Sequence, residues 1–184
     1  MKRFVWTLIL PFLFAACAPP EEKKEAAPAP PPAPAAKAYG TLAQVMRAIP
    51  FPNSNKIFDT QTNDPEAKKD DGKGSGKGGA LDQYSGLYGG WQGIESSAVA
   101  ISETANLLLI PGRKCENGMP VPVEQENFRK WAAGLAAAGE AAYKAALMKN
   151  QDAMVEASGV VSDACLACHE VYRDQPAGKQ RCVP

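Results

Sequence analysis

One histidine, His169, stands in a chain of 184 residues. That scarcity excludes a zinc or copper centre built from several imidazoles. It also excludes a serine or thiol hydrolase with a histidine base, unless that base is His169 itself. A surplus of either charge is missing too, since twenty Lys and Arg meet twenty Asp and Glu. No bulk charge therefore recruits nucleic acid or a membrane surface. No run of alternating β-branched residues suggests a sheet. No GxxxxGKS/T pattern supports phosphate binding. The length suits one domain with a proper core and is too short for two comfortable ones. What the chain does have is sixteen Pro, sixteen Gly and five Cys. The Pro and Gly cluster, so they mark linkers and not a disordered whole.

The first segment reads as a targeting signal over residues 1–16. Lys2 and Arg3 give a basic start, and Phe4 to Ala16 is an apolar run broken only by Thr7 and Pro11. It is too short to span a bilayer as a stable helix, and it ends in small residues. Phe14-Ala15-Ala16-Cys17 looks like a bacterial lipobox, in which the cysteine is lipidated and becomes the mature N-terminus, although Phe14 stands where Leu is usual. The alternative is an ordinary secretory signal cut near Ala16 or Ala18, with Cys17 incidental. Both imply export. Lipidation at Cys17 adds a membrane anchor, and Ala18, where inner-membrane retention would resemble an Asp, favours the outer membrane facing the periplasm. Residues 17–37 follow as a tether of Pro, Ala, Glu and Lys, which cannot bury enough surface to offset its ordering entropy. In extended polyproline form, twenty such residues reach about 60 Å.

Residues 38–184 read as an all-α domain. Leu42, Val45, Met46 and Ile49 recur at helical spacing, and Pro50 should end or kink that helix. A second short helical piece is expected over 53–61, with Ile57 and Phe58 as its apolar residues. Residues 62–80, rich in charge and Gly, are expected to form an exposed, flexible loop. Trp91, Ile94, Ala98, Ile101, Ala105 and Leu108 then step by alternating threes and fours up to the break at Pro111-Gly112. Phe128, Trp131, Leu135, Ala138, Ala142 and Ala145 do the same within 124–149. Asn150 is placed to cap a last helix carrying Met154, Ala157, Val161, Ala164 and Cys168. The architecture expected is an antiparallel four-helix bundle.

One motif carries chemistry. Cys165-Leu166-Ala167-Cys168-His169 is C-x-x-C-H, the pattern of covalent haem c attachment. On a helix the two thiols lie on one face about a turn apart. Each can add to one vinyl group of a single haem, and His169 rises beside them toward the iron. Zinc binding would need four ligands, usually two such pairs. A thioredoxin-like dithiol usually sits where a strand meets a helix start. A disulfide between Cys165 and Cys168 would be strained on a helix.

The longer stretch CLACHEVYR, Cys165 to Arg173, resembles the cytochrome c-prime and cytochrome c-556 family, whose attachment motif lies near the end of the fourth helix. The resemblance implies a bundle with one haem, held covalently by Cys165 and Cys168 and ligated by His169. It implies that Tyr172 and Arg173 flank the haem. For Arg173 the competing role is a surface cation at a helix end, where the dipole favours it. The family divides on the sixth iron position. Members like cytochrome c-556 place a first-helix Met there and carry electrons; members like cytochrome c-prime leave it empty and bind NO or CO. Met46 falls where such a Met would come from, against the ordinary use of helical Met as core filler. Met119, Met148 and Met154 are weaker candidates.

Cys115 and Cys182 remain, 67 positions apart in irregular segments. A disulfide is the best of their options, ahead of two free thiols or ligands of a second site. The sequence therefore leads to an exported, lipid-anchored monohaem cytochrome that exchanges single electrons with periplasmic redox partners. It has no enzymatic turnover and binds no nucleic acid; the family also offers pairing into a homodimer. The alternatives are a five-coordinate gas-binding protein and a haem-free dithiol or metal-binding lipoprotein.

Overall fold

The computed structural model describes residues 36–66, 89–174 and 181–183. The expected signal peptide, Cys17 and most of the tether lie outside them, as do residues 67–80 of the expected loop. The helical unit falls within Ala35–Pro184. It contains α1 (Leu42–Ala48), α2 (Pro50–Asp59), α3 (Gly90–Leu108), α4 (Glu126–Leu147) and α5 (Gln151–Tyr172). Among the described residues there is no strand, only one antiparallel bridge between Lys114 and Pro120.

Local chemistry explains the helix ends. At α1 a capping box forms: the Thr41 hydroxyl accepts from Gln44 N at 3.2 Å, and Gln44 Oε1 accepts from Thr41 N at 2.7 Å. Asn150 caps α5 as expected, accepting from Ala153 N at 2.9 Å. The second helix begins at Pro50 and not at Asn53. Pro50 occupies its first turn, where the missing N–H costs nothing. α1 and α2 are thus two halves of one bent arm, with the bend at Ile49–Pro50. Within 62–66 the chain turns, and Asp64 Oδ1 accepts from Glu66 N at 2.8 Å.

The four arms close a ring, with α3 on α4, α4 on α5, and α2 touching both α3 and α5. Polar contacts at the two ends fix their directions. Gln61 Nε2 on the chain after α2 donates to Ser158 Oγ at 2.8 Å, and Gln151 Nε2 donates to Thr60 O. At the other end Leu42 N donates to Lys114 O at 2.8 Å, just past α3, and Tyr172 at the close of α5 bonds Asn127 at the start of α4. Neighbouring arms are therefore antiparallel. α3 and α4 approach closely at Gly139, where a Cβ would stand only 2.5 Å from Ser102 N.

All six seam residues of α3 are buried, as are those of α4 except Trp131. On α5 the seam is buried through Met154, Ala157 and Val161 and then opens: Ala164 and Cys168 are only half-buried. No helix among the described residues is long and apolar enough to cross a membrane.

Candidate functional site

The place where the α5 seam opens is a cavity of about 500 Å³. Met46, Phe51 and Phe58 of the bent arm form part of its wall, Trp131 and Leu135 of α4 another, and Cys165, Cys168 and His169 of α5 a third. Its size and largely apolar lining are those of a small-molecule or cofactor site. Trp131 is half-buried and lines this space. The i, i+3, i+4 spacing on α5 brings the two thiols and the imidazole to one face, as expected.

Cys165 and Cys168 are free thiols. Burial pushes both up; Cys168 reaches about 11, with the neighbouring Cys165 adding to the rise. The Arg173 charge draws Cys165 back in part. Such thiols are protonated near neutrality and are poor nucleophiles unaided. Burial also lowers the His169 pKa below its usual 6.5; Arg173 lowers it further, and Asp174 opposes. The imidazole is therefore neutral at pH 7, the form that ligates a metal.

Tyr172 is buried, and its hydroxyl donates to Asn127 Oδ1 at 2.8 Å. Its ring meets Phe128 and Trp131 edge-on, with centroids 5.4 and 5.7 Å away. Arg173 is exposed and grips Asp174 with two bonds of 2.6 and 2.8 Å. Tyr172 and Arg173 both lie on the cavity wall. Of Met46, Met119, Met148 and Met154, only Met46 lines the cavity. Met154 is wholly buried in the core, and Met148 is exposed.

Cys115 and Cys182 form a disulfide with a Cα separation of 6.5 Å. Both also line the cavity, so the bridge closes part of its rim. Asn117 Nδ2 donates to Arg181 O at 3.1 Å alongside it, and Cys182 N donates to Tyr172 O at 2.9 Å.

Sequence reasoning missed Phe51 on the cavity wall and Arg113, a buried side chain just past α3. Arg113 carried one usable signal, a cation just past a helix C-terminus. Phe51 had none, because its position depends on the bend at Pro50. Among the described residues, no group of three or more His, Cys, Asp and Glu converges to hold a metal ion. Compared with models of known families, with curated proteins and with solved structures, the chain matches none.

Proposed function

We propose that this chain is a monohaem c-type cytochrome of the four-helix kind, similar to the cytochrome c-prime and cytochrome c-556 family, carrying single electrons in the bacterial envelope. The observation that carries the reading is the C-x-x-C-H face of α5 turned into an apolar cavity that Met46 also lines.

The residues fit a haem c. Cys165 and Cys168 would hold it through thioethers, His169 would ligate its iron on one side, and Met46 would take the sixth position. When bound, the group supplies a one-electron iron couple. The chain supplies the rest. A neutral His169 is ready to donate its lone pair without first losing a proton. Phe58, Trp131 and Leu135 give the cavity an apolar wall that would lower the dielectric around a bound group. Half-exposed Cys165 and exposed Leu166 bring one side of the site to the surface, where a redox partner can dock. Arg173 disfavours added positive charge beside His169, which favours the reduced state; its bidentate pairing with Asp174 moderates that effect. Export and a lipid anchor at Cys17 would hold the domain at the periplasmic face of a membrane, within reach of its partners.

The raised thiol pKa values speak against the haem-free dithiol reading, because reactive dithiols depend on a lowered one. One observation favours the five-coordinate reading with NO or CO binding. α1, which bears Met46, has no fully buried residue. A helix so placed can yield its side of the cavity.

The test is a pyridine haemochrome assay and an intact mass on protein matured where haem attachment is active. One covalent haem per chain is expected. A colourless product sinks the reading. The ferric absorption spectrum then separates low-spin His/Met ligation from a high-spin site.

A further inference from the structure

Arg113 is a buried cation with only 3% of its surface exposed. Among the described residues it makes no ion pair with a carboxylate. Its Nη1 donates to Tyr39 O at 2.6 Å and Gly40 O at 3.2 Å, and its Nη2 donates to Leu107 O at 3.1 Å. Two features keep the charge tolerable there. The C-terminal end of the α3 dipole faces it, and the guanidinium fork spreads its donors from two nitrogens over three carbonyls, which the single nitrogen of a lysine serves less well.

Two of those carbonyls belong to the residues that lead into α1. α1 is seven residues long, and Leu42, Val45 and Met46 pack against the core without being fully buried. The bonds that reach it from across the fold come from the segment after α3. Lys114 O accepts from Leu42 N at 2.8 Å, and exposed Arg47 meets Glu116 at 3.4 Å. The segment itself is held by Cys115 N donating to Met119 O at 2.8 Å and by the Cys115–Cys182 disulfide. An exposed pair such as Arg47–Glu116 contributes little. The Arg113 bonds are different in kind. Moving Tyr39 and Gly40 away would leave buried Nη1 without an acceptor, beside an Nε that already has none, and only Nη2 would keep its bond to Leu107 O.

We propose that Arg113 is a positioning residue: by clasping the entry of α1 it fixes Met46 on the cavity wall, and so governs whether the iron keeps a sixth ligand. The inference rests on the reading of Met46 as that ligand.

The test uses the haem-loaded full chain with Arg113→Met, Arg113→Lys and a control, Gln61→Ala, which removes a polar contact at the far end of the bundle. Two quantities are read: the high-spin, CO-reactive fraction, and amide exchange along α1 and α4. Arg113→Met is expected to raise the high-spin fraction at least tenfold and to speed exchange at Val45 and Met46 at least tenfold, with α4 unchanged. Arg113→Lys should show the same pattern more weakly, and it preserves the test if Arg113→Met fails to fold. Gln61→Ala should change neither quantity at the site. Unchanged α1 exchange in both Arg113 variants overturns the proposal, and so does faster exchange with an unaltered spin state. A wild-type chain without haem instead overturns the reading beneath it, before any variant is made.

Discussion

The Tyr172 hydroxyl donates to Asn127 Oδ1 at 2.8 Å, tying the last turn of α5 to the first turn of α4. Asn127 Oδ1 also accepts from Phe128 N at 2.8 Å, so one acceptor serves both helices. Tyr172→Phe deletes only the hydroxyl and leaves Asn127 its second partner. It is expected to cost about 1 kcal/mol. Tyr172→Ala also removes a buried ring packed edge-on to Phe128 and Trp131, and should cost about 3–5 kcal/mol. Denaturant unfolding of the two variants measures both. Equal losses would mean that the ring packing adds nothing to the hydrogen bond.

Two glycines should respond to alanine with opposite signs. At Gly139 a Cβ would stand 2.5 Å from Ser102 N and 2.8 Å from Ser102 Cα, both backbone atoms that cannot turn aside. Gly139→Ala must push α3 and α4 apart, at about 1–3 kcal/mol. At Gly159, on the exposed face of α5, a Cβ meets nothing within 4 Å. Gly159→Ala should gain roughly 0.5–1 kcal/mol from helix propensity. Thermal melts of the pair check the signs.

These positions show where sequence reading reaches and where it stops. The α3 seam from Trp91 to Leu108 was legible because a buried helix face imposes its period on the chain. The thiol–imidazole face of α5 was legible for the same reason, since three spacings on one helix fix their shared side. The Cys115–Cys182 pairing was legible from the compartment expected of an exported chain. The start of α2 at Pro50 was not, because a proline reads equally well as the end of one helix and the first turn of the next. Arg113 was legible only as a cation just past the end of α3, not as a clasp on α1. Its acceptors lie 73 and 74 positions away in Gly40 and Tyr39, and no local pattern encodes such a contact.

The Cys115–Cys182 bridge spans 67 positions and closes part of the cavity rim. Loop-closure entropy alone gives it about 4 kcal/mol. Replacing both residues by Ser should lower unfolding stability by up to that amount. Serine also leaves Asn117 and Arg181 without the covalent tie beside their hydrogen bond. A mild reductant should reproduce the loss in the wild-type chain and have no effect on the double variant. An equal response to reductant in both would exclude the bridge as its source.

Met46 is the methionine on the cavity wall, so one substitution decides between the carrier and gas-binding readings. Met46→Ala removes the thioether from a half-buried position. A large stability loss is not expected, because the residue is only partly buried in the wild type. The ferric spectrum should change from low-spin to high-spin, and the ferrous protein should bind CO. A variant that stays low-spin removes Met46 as the ligand. A wild-type protein that is already high-spin favours the five-coordinate reading.

Alkaline pH should separate the haem-free chain from the loaded one. An unfolded thiol ionises near 9.0, whereas the folded Cys168 is pushed up to about 11 and Cys165 is also raised. Between those values the native state holds protons that the unfolded state has released. Stability supplied by the buried thiols is therefore complete below about pH 9 and falls as pH rises toward 11. His169 acts at the other limb. Its lowered pKa means that the unfolded chain takes up a proton first, so stability falls as pH drops below 6.5. Thioether formation removes both thiol titrations, and iron ligation removes that of His169. The Tyr172 phenol is raised chiefly by its own burial and further by the Cys168 thiolate, so thioether formation relieves part of that rise and also flattens the alkaline limb. Urea midpoints taken from pH 5 to 11 should form a dome for the haem-free chain and a flatter curve for the loaded one. Two superimposable curves would mean that the sulfurs and the imidazole do not change state when haem is attached, which is incompatible with thioether bonds at Cys165 and Cys168.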